Sequence, residues 1–229
     1  MAMQASNGAQ MRILLASGSP RRRELLELTG WAISVQRVDA EESALPDEQP
    51  MSMARRLAEL KARTAYTDFP HADLILAADT IVIDGDRVHG KPGDALEARE
   101  MLLDLCGRDH EVITALALLQ PASGELHLDA CCTVVPMRAY SLAEIEAYVQ
   151  GGSPLDKAGA YGIQDVSFKP VKLEAMRGCF ANVMGLPICH LLRMMRSLGF
   201  DSAQDVPAVC QRHNHFDCKI YSQILDGQL

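Results

Sequence analysis

The order of elements legible in the sequence predicts a mixed α/β protein, and three observations carry that prediction. An almost unbroken apolar run from Leu74 to Ile83 has the character of a strand buried on both faces. Two long strand-like segments, His110 to Leu119 and Leu126 to Met137, are separated only by Pro121 to Gly124. Helix-starting signatures stand at Ser19-Pro20, at Asp94 with Glu97, and at Ser141 with Glu144.

In chain order, Met1 to Gln10 is small, polar and aperiodic and reads as a disordered lead-in. Arg12 to Ala16 is a short buried strand, followed by a helix that Ser19 caps and Gly30 stops. Ala32 to Arg37 alternates like a strand, Val38 to Pro50 is an acidic loop, and a helix spans about Met51 to Tyr66. Asp84-Gly85-Asp86 turns a hairpin after the apolar strand, and the helix capped at Asp94 ends at Gly107. The helix capped at Ser141 stops at Gly151-Gly152, and an irregular Gly-rich stretch leads to a helix over about Pro187 to Leu198. Beyond Gly199 the composition turns polar and rich in His, Cys and Asp. The expected organisation is therefore a lead-in over 1–10, one domain over 11–199 and an extension over 200–229.

Composition excludes several classes. With 48% hydrophobic and 23% charged residues over 229 positions, the chain is an ordinary folded one and not a disordered or disulfide-dense one. A formal net charge of −8 argues against a general nucleic-acid or membrane-surface role, so an anionic ligand has to be held by local cations. No run approaches the roughly 20 apolar residues of a membrane span, and the first ten residues lack the order of a secretory signal. Seven scattered cysteines read as free thiols. The expected compartment is the cytoplasm.

Four segments carry candidate chemistry. Ser17-Gly18-Ser19-Pro20-Arg21-Arg22-Arg23 sits at a strand-to-helix junction, where free N–H groups and the helix dipole favour an anion; the alternative is a solvated arginine face. Asp79, followed by Thr80, is a carboxylate inside an apolar strand. It pairs with a cation, binds a metal, serves as a base or is a satisfied structural group. Lys91, fixed between Gly90 and Pro92, suits a phosphate contact or an ordinary turn. Leu155 to Gln164 combines Asp156, Lys157, two glycines, Tyr161 and Gln164; Tyr161 has a ring to stack and Gln164 an amide to read a base edge, though by composition the segment is only a loop.

In this order the segments resemble the Maf family of nucleoside triphosphate pyrophosphatases. The resemblance covers about residues 11 to 198: LLASGSPRRRELL, the Glu41-Glu42 pair, RLAELKA, AADTIV, GKP, DKAGAYGIQ and NVMGLP. The DKAGAYGIQ form is similar to the subgroup that hydrolyses dTTP and UTP. The resemblance implies a curved mixed central sheet flanked by helices, with two lobes around a cleft, in a fold like that of inosine triphosphatases, and commonly a homodimer. It implies metal-dependent hydrolysis of a nucleoside triphosphate to the monophosphate and pyrophosphate, with Mg²⁺ or Mn²⁺ as cofactor and a house-cleaning role. On matching positions, Asp79 is the catalytic base, Glu42 helps Asp79 hold the metal, and Ser17, Arg21 and Arg22 contact phosphate. Lys61 and Lys91 neutralise the triphosphate, while Thr80 and Gln164, with Arg21, tune substrate choice.

Two features depart from the family pattern. Asp165 to Pro170 replaces a short Gly-containing link, and the extension after Gly199 has no counterpart. That extension spaces Cys210, His213, His215 and Cys218 as C-x2-H-x-H-x2-C, too tightly for two ligand pairs around a zinc-finger loop. Two further readings of the chain remain at this point: a nucleotide-binding regulator of cell division without turnover, and a pyrophosphatase of modified pyrimidine nucleotides.

Overall fold

The computed structural model describes residues 11–41 and 43–229. The expected lead-in over 1–10 and the acidic Glu42 lie outside the described residues.

Among the described residues six strands form one mixed sheet: β1 (Arg12–Ala16), β2 (Ala32–Gln36), β3 (Leu74–Asp84), β4 (Arg87–His89), β5 (Asp109–Gln120) and β6 (Glu125–Pro136). Their order is β2-β1-β3-β5-β6, with β4 also paired to β3. The pairs β1–β2 and β1–β3 are parallel, whereas β3–β4, β3–β5 and β5–β6 are antiparallel. Helices α1 (Pro20–Glu27), α2 (Pro50–Asp68), α3 (Ala95–Leu105), α4 (Leu142–Gln150), α5 (Phe180–Val183), α6 (Ile188–Ser197), α7 (Val206–Asn214) and α8 (Tyr221–Leu225) cover it.

Period-2 alternation divides the core between the two faces of the sheet. Ile13, Leu15, Leu74, Leu76, Ala78 and Val82 point to the side packed by α1, α3, α4, α5 and α6. Leu14, Ile75, Ala77, Ile81 and Ile83 point to the other, which α2 covers with Ala54, Ala58, Ala62 and Ala65. These four alanines form one stripe along the helix, and small side chains let it lie close against the strands.

Helix starts follow the expected signatures. Ser19 caps α1, with Pro20 at its first position, and Ser141 and Glu144 make a reciprocal capping box on α4. At α3 the cap differs in one bond: Asp94 accepts from the Glu97 N–H, but the Glu97 carboxylate takes the N–H of Gly93 and not that of Asp94. Three short helices escape the sequence reading: α5, α7 and α8. In the extension, polar composition hides Val206, which is fully buried, and Ile224, which is nearly so.

Asn182, on α5, is fully buried and wedges into the sheet. Its Nδ2 donates to the carbonyl of Val112 and to Thr133 Oγ1, each at 2.9 Å, and its Oδ1 accepts the Thr114 N–H at 3.1 Å. Removing that amide strands a strand N–H and a strand carbonyl away from water. Asn182→Ala is therefore expected to cost about 3 kcal/mol of stability, from unsatisfied groups and the cavity together. Urea unfolding measures it, and a loss below about 1 kcal/mol would contradict the wedge.

Candidate active site

β3 runs on where its neighbour stops. It pairs with β1 only through Leu76, and β4 takes up the same edge only from Val82. Between them the edge is open while β5 continues to pair on the opposite side, and Asp79 and Thr80 lie in that gap. An open cleft of about 660 Å³ occupies it. Ser17, Arg21, Arg22, Lys61, Asp79, Thr80, Lys91 and Gln164 all line this cleft, so eight of the nine residues singled out from sequence converge. The ninth, Glu42, lies outside the described residues.

Successive strand residues face opposite ways, so Asp79 turns toward α2 and Thr80 toward α1. Asp79 is 5% exposed, and its Oδ1 accepts a hydrogen bond from Lys61 Nζ at 2.5 Å. Of the readings open for a carboxylate in this strand, pairing with a cation is present. Arg22 is held from three sides: Nε donates to the Gly185 carbonyl at 2.9 Å, one terminal nitrogen to Thr80 Oγ1 at 3.0 Å, and the other to Ser17 Oγ at 3.3 Å. Arg23 turns outward to Glu27 in an exposed pair, so only two of the three arginines serve the cleft.

Asp156 and Lys157 form a second ionic group that sequence spacing did not connect to the arginines. Arg21 donates to Asp156 Oδ2 at 2.7 Å and to its carbonyl at 2.9 Å, across 135 residues of chain. Lys157, nearly buried, donates to Asp156 Oδ1 at 3.0 Å and to Ser153 Oγ at 2.9 Å. Burial works to raise the Asp156 pKa, but hydrogen bonds from Lys157 and Arg21 outweigh it and hold the carboxyl below its usual range. Gln164 reaches the cleft wall with its Oε1 buried and without a hydrogen-bond partner among the described residues. Lys91 stands exposed on the rim.

Tyr161 lines the cleft but directs its hydroxyl inward, 2.7 Å from His110 Nε2. Burial, and secondarily His89, depress the His110 pKa to about 3. In the unfolded chain the same imidazole titrates near 6.5, so between these values only the unfolded state is protonated and stability falls as pH falls. His110 alone should cost about 3 kcal/mol between pH 7 and pH 4.5. Urea midpoints at both pH values should show a smaller acid loss for His110→Gln than for the unsubstituted protein; equal losses would assign the effect elsewhere.

A family model described as Maf-like protein matches residues 12–198. The chain belongs to the Maf-like family. Relatives named dTTP/UTP pyrophosphatase include one from Dehalococcoides mccartyi, 41% identical over 194 residues, covering 85% of each chain. Another, from Anaeromyxobacter dehalogenans, is 45% identical over 191 residues, covering 82% of this chain and 95% of that one. A third, from Chlorobium phaeovibrioides, is 42% identical over 192 residues, covering 81% and 96%. Among solved structures, the Ham1 protein of Staphylococcus aureus aligns over 55% of this chain and 71% of its own with a TM-score of 0.41 and 14% identity. That likeness is too distant to bear on the site.

The extension lies beyond the part matched to the Maf-like model, yet it packs on it. His213 pairs with Glu24 of α1 at 2.9 Å, and Arg193 of α6 donates to the Ile224 carbonyl at 2.7 Å. Three of its four candidate ligands diverge: Cys210 and Cys218 line an apolar cavity against α5 and α6, while His213 faces α1. Among the described residues no group of three or more His, Cys, Asp or Glu is arranged to hold a metal. All seven cysteines are free thiols, as their spacing predicts. Among the described residues no helix is long and apolar enough to cross a membrane.

Proposed function

We propose that this Maf-like protein hydrolyses dTTP, UTP and modified pyrimidine nucleoside triphosphates to the monophosphate and pyrophosphate, a house-cleaning reaction on the nucleotide pool. The observation that carries the reading is the convergence of Asp79 with Ser17, Arg21, Arg22, Lys61 and Lys91 on one cleft. The names of relatives more than 40% identical support the substrate class. Phosphoryl chemistry asks a protein for charge neutralisation and alignment more than for a nucleophile of its own.

In this reading water attacks the α-phosphorus, the bond to the bridging oxygen breaks, and pyrophosphate leaves. The Asp79 carboxylate takes the proton of the attacking water. Lys61, hydrogen-bonded to Asp79 Oδ1, joins Lys91 and the arginines in offsetting the negative phosphates. Arg21 exchanges Asp156 for a phosphate oxygen when the substrate enters. A divalent Mg²⁺ or Mn²⁺ would be held by carboxylate oxygen of Asp79, which also accepts from Lys61; of the other carboxylates lining the cleft, Asp39 pairs with Arg37, Glu48 with Arg56, and Asp156 with Arg21 and Lys157. Such an ion supplies Lewis-acid stabilisation of phosphoryl charge when bound. Glu42 belongs to the same proposal as a second carboxylate.

Purified protein incubated with each nucleoside triphosphate and Mg²⁺ or Mn²⁺ should release pyrophosphate from dTTP and UTP. Binding without turnover on every nucleotide would favour a regulator instead, and dependence on the added metal tests the cofactor. The reading includes a homodimer in the cytoplasm; elution at the monomer mass at micromolar concentration would reject the dimer.

A further inference from the structure

Arg22, Gly185, Asn182, Thr114 and Thr80 close a ring of hydrogen bonds between the cleft wall and the interior. Arg22 Nε donates to the Gly185 carbonyl, and the Gly185 N–H donates to the Asn182 carbonyl at 2.9 Å. Thr114 Oγ1 donates to that same Asn182 carbonyl at 2.9 Å. The hydroxyls of Thr114 and Thr80 are 2.9 Å apart, and Arg22 returns to Thr80 Oγ1. Gly185 takes φ +103°, and a Cβ there would come within 3.2 Å of Thr80 Oγ1 and 3.3 Å of Arg22 Nε, so the ring is built around a glycine.

Counting protons fixes its polarity. Each of the two short oxygen–oxygen contacts needs one proton between its atoms. A carbonyl has none to give, so the contact with Asn182 consumes the single hydroxyl proton of Thr114, which is fully buried. The contact between the two threonines must then use the proton of Thr80. Thr80 keeps no proton for the cleft, and Arg22 occupies one of its lone pairs. What remains is an acceptor: it rewards an N–H or O–H of a ligand and gives nothing to a phosphate or carbonyl oxygen.

We propose that Thr114 is a positioning residue that makes Thr80 an acceptor-only group in the cleft and seats it on Arg22, so that this point of the wall selects a hydrogen-bond donor on the nucleoside part of the substrate. The proposal rests on the nucleotide reading of the cleft.

A double-mutant cycle tests it, with kcat/KM for UTP and Kd for uridine 5′-α,β-imidotriphosphate as readouts. Thr114→Val removes the hydroxyl at nearly constant shape and is expected to lower kcat/KM and raise Kd, each at least tenfold, while Thr114→Ser, which keeps it, stays within threefold of the unsubstituted protein in both. In a Thr80→Val background, Thr114→Val should change either readout less than twofold, because its effect passes through Thr80. An undiminished effect in that background, or no rescue by serine, overturns the proposal. If Thr114→Val fails to fold, Thr114→Cys enters the same cycle with its weak donor. Coupling in Kd from a protein that hydrolyses no nucleotide would sink the enzymatic reading and leave the relay standing; turnover without coupling would do the reverse.

Discussion

Asp79→Asn is expected to reduce kcat on UTP at least a thousandfold, about 4 kcal/mol of transition-state stabilisation, while leaving the folded protein intact. The substitution is nearly isosteric, and the asparagine oxygen still accepts from Lys61 across the 2.5 Å contact. It removes the charge that takes a proton and offers oxygen to a cation. The melting temperature should move by only a few degrees, and the affinity for an imido analogue without metal should stay within about tenfold. More than a tenth of wild-type kcat/KM remaining would exclude Asp79 as the base.

Gln164→Ala is expected to collapse discrimination between UTP and CTP by ten- to a hundredfold, while lowering the rate on UTP by less. Gln164 Oε1 is a buried acceptor without a partner among the described residues, a costly state that a ligand N–H relieves. Uracil and thymine bring a donor at N3 and an acceptor at O4, matching the amide's acceptor and donor; cytosine reverses both. A site built on one pattern penalises the reverse by about 1–3 kcal/mol for each group left unpaired. In the absence of nucleotide the alanine variant should be no less stable, since it removes an unsatisfied group. An unchanged UTP-to-CTP ratio would reject base reading by Gln164 and turn attention to Asp165 to Pro170.

Legibility followed the range of the interactions. Caps at Ser19, Asp94 and Ser141 are local, so those helices could be read to within a few residues. Asp79 announced itself as a carboxylate in an apolar strand, and family motifs brought in Lys61, which spacing alone could not connect to it. The tie between Arg21 and Asp156 spans 135 residues and leaves no local trace. The same holds for the Thr80–Thr114–Asn182 relay: each is an ordinary polar residue until the sheet brings them together. The extension misled by composition, because its few apolar residues are spaced to meet helices the sequence does not place beside it.

The packed extension also bears on how the chain matures as it is made. Val206 belongs to the main core, and Cys210, Phe216, Ile220 and Leu225 rest against it. When a ribosome has delivered residues through Gly199, the whole family-matched portion exists, but the apolar flank of α5 and α6 has nothing to lie against. At about 5–20 residues per second the missing helices follow about 1–5 seconds later. Until those helices dock, Phe180, Ile188 and Cys189 lack the apolar cover that Cys210 and Phe216 give them in the folded chain.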